Sequence, residues 1–210
     1  YHGSLNARAQ FREALSVEQV LAAPMIAEPL TRPMCSPIGD GAAAVVLVSE
    51  AKARQLGIQR RVRVVSSVLR SGWDHRYGED GAGELCAREV YEESGVGAED
   101  VSVVELHDAS APAEIMAYED LGFCARGEGG PFIAERRSYI GGTVAVNVDG
   151  GLKAKGHPIA ATGVSMTYEI ARQLRGECGP RQVPGAGVGL THNVGGIGQY
   201  AFVQVLTRET

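Results

Sequence analysis

Three histidine-bearing turns hold the residue types from which a catalytic site could be built. The first reads Glu105-Leu-His107-Asp108-Ala-Ser110. It leaves a short apolar stretch and enters a helical one, and a neutral imidazole at such a junction can donate a hydrogen bond to a developing oxyanion. Asp108 and Ser110 read as caps of the following helix. The second is the densest, Asn147-Val-Asp-Gly150-Gly151-Leu-Lys-Ala-Lys-Gly156-His157-Pro158-Ile-Ala-Ala-Thr162-Gly163. Its glycine turns lead His157 to a helix start, where free backbone N–H groups and the positive end of the helix dipole suit an anionic or polarised oxygen. The third, Thr191-His192-Asn193-Val-Gly195-Gly196-Ile-Gly198, reads as a tight loop. His192, Asn193, Gly195 and Gly196 are candidates to bind substrate, or else the segment is a glycine-rich hairpin with a satisfied imidazole.

The surrounding pattern supplies elements to position these turns. Arg61 to Leu69 predicts a strand, Gly83 to Ser94 a helix, Val101 to Leu106 a strand and Ala111 to Leu121 a helix. Thr143 to Val146 predicts a short strand and Pro158 to Leu174 a helix with proline in its first turn. Gly187 to His192 and Gln199 to Leu206 predict a terminal antiparallel pair. Strands alternating with helices imply an α/β layered sheet. Before Gly57, closely spaced prolines leave room for one short helix around Val17 to Ala22. The apolar run Ala42 to Val48 predicts a strand buried on both faces, followed by a short capped helix from Ser49 to Leu56. That strand needs neighbours that residues 1–41 do not supply, so the chain is expected to be the C-terminal portion of a longer protein.

Composition narrows the function. Of 210 residues 44% are hydrophobic, enough for a sizeable core, and the net charge of −5 with no basic block argues against nucleic-acid binding. No apolar run reaches the roughly 18 residues of a membrane span, and no signal-peptide pattern opens the chain, so a cytoplasmic protein is expected. Cys35, Cys86, Cys124 and Cys178 are too far apart for a zinc ribbon, and no metal is expected. The 28 glycines, about 13% where about 7% is usual, cluster beside apolar segments and read as functional turns.

The segment Asn147 to Gly163 resembles the NxxGGxxxxGHPxGATG signature of the thiolase superfamily. His107-Asp108, Gly127-Glu128-Gly129-Gly130 and the stretch PIGDGAAA at 37–44 are similar to its sterol-carrier and lipid-transfer branch. The resemblance implies a thiolase-like fold, layered α/β/α around a mixed five-stranded sheet and usually paired into a dimer. Residues 1–57 would end the N-terminal half and 58–210 would form the C-terminal half. Two departures stand out. Thiolases use an acid/base cysteine in a CxGGG loop or an HDCF turn, whereas this chain has His192-Asn193-Val-Gly-Gly and His107-Asp108-Ala-Ser. Ala160 stands where the signature has glycine.

In the family, His107 and His157 would help build the site for the thioester oxygen. That favours an enolate, and a retro-aldol cleavage of a β-hydroxyacyl-CoA needs an enolate and a general base but no thiol. The resemblance implies such a lyase, acting on a steroid side chain and releasing a ketone and a short acyl-CoA. It would use acyl-CoA as substrate, no cofactor, and an OB-fold acyl-CoA-binding partner subunit. The base is a histidine or a tyrosine. Tyr118 and Tyr168 lie on the helices after the His107 and His157 turns, and Tyr200 is a weaker candidate. The alternatives are a sterol-carrier-type acetyl-CoA acyltransferase and a non-catalytic lipid- or acyl-CoA-binding protein.

Overall fold

The computed structural model describes residues 1–72 and 79–209. The chain opens with α1 (Val17–Ala22), closed at its start by a capping box in which Ser16 and Gln19 exchange side-chain and backbone hydrogen bonds. A small hairpin follows, β1 (Met25–Ala27) and β2 (Leu30–Thr31), then α2 (Glu50–Gln55) with Ser49 as its cap. The main body runs β3 (Val62–Ser71), α3 (Ala82–Ser94), β4 (Val103–Leu106), α4 (Ala111–Asp120), α5 (Gly129–Ala134) and β5 (Ala145–Val146). It ends with α6 (Gly151–Ala154), α7 (Thr162–Arg175), β6 (Val188–Gly195) and β7 (Tyr200–Arg208).

Five strands form one mixed sheet in the order β3-β7-β6-β4-β5. β3, β7 and β6 pair antiparallel, while β6, β4 and β5 pair parallel. Side-chain alternation sends Leu106, Leu190 and Val203 to one face, where they pack with Val90 of α3, with Tyr118 and Leu121 at α4, and with Phe132 of α5. Val103, Ala145 and Leu206 meet Ile170 and Leu174 of α7 on the other face. Each fully buried Leu or Ile contributes about 1.5–3 kcal/mol, so the sheet is held between two helical layers, as the expected α/β/α architecture requires.

Three sequence expectations are corrected. Ala42 to Val48 forms no strand and pairs with none among the described residues, and Val46 and Leu47 are 89% and 75% exposed. A buried strand needs a partner for its backbone groups, and none lies beside this run among the described residues. The helix expected from Pro158 begins at Thr162, because Ala160 takes a left-handed backbone (φ 68°) that no right-handed helix can pass through. Finally, β6 continues through His192 and Asn193 to Gly195, so those residues lie on a strand and not in a loop.

The N-terminal segment lies along the loops at the C-terminal ends of the parallel strands. Asn6 Nδ2 donates to the Asp149 carbonyl (2.8 Å), Phe11 N to the Ala154 carbonyl (2.9 Å) and Ser36 N to the Ala109 carbonyl (2.9 Å).

Candidate active site

Two of the sequence-identified turns are tied together by buried acid–amide bonding. Asp108, 1% exposed, accepts from Leu152 N at 2.7 Å, so it caps α6 rather than the helix that follows it. Gly151 (φ 62°) permits this approach, since a Cβ there would lie 2.4 Å from the Asp108 carboxylate. Burial raises Asp108 to about 6 despite the neighbouring Lys153 ammonium. Ser110 caps α4, accepting from Ala113 N. Beneath the turns, Lys155 Nζ lies 2.7 Å from Asp149 and donates to Ser165 Oγ at 3.1 Å. Glu105, wholly buried in β4, is pushed well above the usual carboxylate range by desolvation and by the Asp149 charge.

His107 and His157 meet edge to face with ring centroids 5.0 Å apart. His107 Nδ1 lies 2.9 Å from Asn193 Oδ1. An amide oxygen only accepts, so Nδ1 carries the proton and the Nε2 lone pair is left. His157 Nδ1 lies 2.8 Å from the Thr162 hydroxyl, which itself donates to the Pro158 carbonyl at 2.9 Å. The hydroxyl's single proton being used, His157 also donates from Nδ1 and keeps a lone pair on Nε2. Burial lowers His107 to about 4, with His157 beside it and Asn193 opposing, and lowers His157 as well, with Lys155 adding to the effect. Both imidazoles are therefore neutral at pH 7 and present proton acceptors, not the oxyanion donors expected from the sequence.

Strand alternation separates the third turn's residues. Asn193 faces α7, where its amide nitrogen packs against Gly163, a position at which a Cβ would come within 2.6 Å of it. His192 faces α3 and is 3% exposed, and neither ring nitrogen has a partner among the described residues. The imidazole is therefore not satisfied by any described residue, at a cost of about 1–3 kcal/mol for a buried unpaired polar group. Desolvation, with His107 assisting, lowers His192 to about 4. His107 and His192 both line a cavity of about 490 Å³ between α3, α4 and the β6–β7 hairpin. Gly196 also lines it, whereas Gly195 packs against Tyr200.

The tyrosines do not join this group. Tyr118 is fully buried and donates to Glu114 Oε1 at 2.7 Å; burial and the Glu114 charge hold its phenol proton more tightly. Tyr168 is 39% exposed with the Arg172 guanidinium over its ring, and Tyr200 is 55% exposed. None of the three lines the cavity. Sequence reasoning missed Thr162, which orients His157, and the Lys155–Asp149–Glu105 cluster. A glutamate inside the apolar run Val-Val-Glu-Leu was the available signal.

Residues 80–208 match the family described as Thiolase C-terminal domain-like. The chain is 42% identical over 200 residues to the benzoylsuccinyl-CoA thiolase subunit BbsB of Thauera aromatica, covering 93% of this chain and 52% of that protein. It is 37% identical over 203 residues to human sterol carrier protein 2, covering 92% of this chain and 37% of that protein. The chain thus spans about half the length, or less, of these relatives. Among solved structures, the Ltp2-ChsH2(DUF35) aldolase superposes with a TM-score of 0.83 at 24% identity, over 99% of this chain and 55% of that one, a likeness of fold. The chain belongs to the thiolase superfamily, as the match of residues 80–208 to its C-terminal domain shows.

Proposed function

We propose that the protein is a carbon–carbon lyase that cleaves a β-hydroxyacyl-CoA by a retro-aldol step, acting as a homodimer in the cytoplasm. The observation that carries this reading is the pair of neutral imidazoles whose Nδ1 protons are tethered, leaving Nε2 free to take and return a proton. No cysteine lines the adjoining cavity among the described residues. Cys86 and Cys178 are buried, and desolvation raises both thiols, so neither is a ready thiolate.

In the proposed step the β-hydroxyl gives its proton to Nε2 of His107, oriented by Asn193. The oxygen's electrons form the carbonyl of the departing ketone, and the Cα–Cβ bond breaks. Its electron pair passes into the thioester as an enolate, beside the new imidazolium of His107. Because His107 is held at a low pKa, its conjugate acid is strong and readily returns the proton to Cα. The chain's own residues thus complete the step without a thiol. The structural neighbour, the Ltp2-ChsH2(DUF35) aldolase, supports both the reaction and a partner subunit, for which an OB-fold acyl-CoA-binding protein is proposed.

A second reading, CoA-dependent thiolysis, is favoured by the 42% identical relative named as a thiolase subunit. Incubating the protein at its natural length with a β-hydroxyacyl-CoA, with and without the partner, separates the two. The lyase releases a ketone and a shorter acyl-CoA with no added CoA. Product formed only when free CoA is supplied would establish thiolysis instead, and full activity in His107→Ala would remove the imidazole from the mechanism.

A further inference from the structure

The end of the sheet away from the imidazoles carries a second cavity, of about 330 Å³. It lies where α7 and β7 end and β3 begins, whereas His107 follows the C-terminal end of β4. Four guanidiniums line it: Arg60 and Arg61 just before β3, Arg175 as the last residue of α7 and Arg208 as the last of β7. In a chain of net charge −5 this is a local concentration of positive charge, and the cavity beside His107 has no Lys or Arg among its described lining residues. Two carboxylates answer the four charges. Arg61 Nε lies 2.6 Å from Glu209, and Arg60 Nη2 lies 3.2 Å from Glu177. The Arg60 side chain is 69% exposed, and a pair in that much solvent is worth at most about 1 kcal/mol. Arg175 and Arg208 have no carboxylate in ion-pair reach among the described residues. Arg175 Nε donates to the Arg60 carbonyl at 3.0 Å while Arg60 Nη1 donates to the Arg175 carbonyl at 3.4 Å, a brace that uses only one nitrogen of Arg175. The last carbonyls of α7 are covered by Gly176 N, Glu177 N and Arg60, so donors screen the negative end of that helix. Buried Leu174, Val183 and Ala186 complete the wall with apolar surface.

We propose that this cavity binds an organic phosphate, a phosphomonoester dianion held by Arg175 and Arg208 with its organic body against the apolar wall, at a site separate from the imidazole pair. A dianion matches the two guanidinium charges left without a carboxylate. The planar fork of arginine fits phosphate oxygens two at a time and also stacks on flat rings, which suits a ligand that carries both. The volume lies at the lower end of the range of about 300–1,000 Å³ usual for small-molecule sites.

The test is isothermal titration calorimetry of the protein at natural length, at low ionic strength, with adenosine 5′-monophosphate, adenosine and inorganic phosphate. The monophosphate is expected to bind about tenfold more tightly than either of the others, since adenosine lacks the charge and phosphate lacks the organic body. Arg208→Gln, at an exposed position, should weaken the monophosphate about tenfold, the size of one charge-assisted hydrogen bond, while circular dichroism stays unchanged. Arg63→Gln removes a charge that is also exposed, on β3 but outside the cavity, and should change the affinity by less than about twofold. Arg175→Lys keeps the charge but loses the fork, and should weaken binding as Arg208→Gln does. Undetectable binding of the monophosphate by the unaltered protein would overturn the assignment. So would equal losses in Arg208→Gln and Arg63→Gln, full affinity in Arg175→Lys, or adenosine or phosphate binding as tightly as the monophosphate.

Discussion

Replacing His192 by Phe removes a base that the fold keeps uncharged, and the result should be a change in how stability responds to pH. His192 is 3% exposed and lowered from 6.5 to about 4, chiefly by desolvation. Above pH 6.5 the ring is neutral in both folded and unfolded chains and adds no pH dependence. Between 6.5 and about 4 the unfolded chain takes up a proton that the folded chain refuses, so stability is lost as the pH falls. At about 1.4 kcal/mol per pH unit, the loss comes to about 3 kcal/mol once the pH reaches 4. His107 acts in the same direction but is present in both proteins, so the difference between them isolates His192. Urea midpoints measured from about pH 7.5 to pH 4 give the quantity directly. The unaltered protein should lose about 3 kcal/mol more than His192→Phe over that range. Parallel curves would show that His192 is freely protonated in the fold, and the argument for a dry, unpartnered imidazole would fail.

Other consequences can be measured separately. Asn193→Leu leaves His107 Nδ1–H without its acceptor, and kcat of the proposed cleavage should fall about 10- to 100-fold with a shifted pH profile, an effect Asn193→Asp should partly restore. Ala160→Gly relieves a left-handed alanine and should stabilise the fold by about 1 kcal/mol, read as a rise in the thermal midpoint. Arg181 makes two 2.9 Å bonds to Glu169, which is 3% exposed; Arg181→Ala strands that carboxylate and should cost about 3–5 kcal/mol in a denaturant titration.

Much of the fold could be read along the chain because its causes are local. Ser16 and Ser49 announce their helices through contacts three residues away, and Gly95 and Gly176 end theirs through left-handed backbone that glycine adopts freely. The His107 and His157 turns stood out for the same reason, being bounded by glycine, proline and capping residues. The apolar run at Ala42 to Val48 reads as a buried strand and is none, because a strand is defined by its partner and no residue within the run specifies one. Tyr118 and Tyr168 both had a plausible helical phase, yet one faces the core and the other solvent, a choice made by packing.

By itself the sequence determined where the histidine-bearing turns lie and that the usual thiol is missing from both expected positions, since residue identity and turn signals need no distant contact. Only the tertiary structure decided which proton each imidazole keeps. The bond from His107 to Asn193 spans 86 residues of chain, and it exists because β4 and β6 pair in a register that sets Leu106 beside His192. The next residue of each strand then turns to the α7 side, bringing His107 and Asn193 together and leaving His192 on the other face. A shift of one residue in that pairing would exchange the two roles, and nothing in the local sequence sets the register.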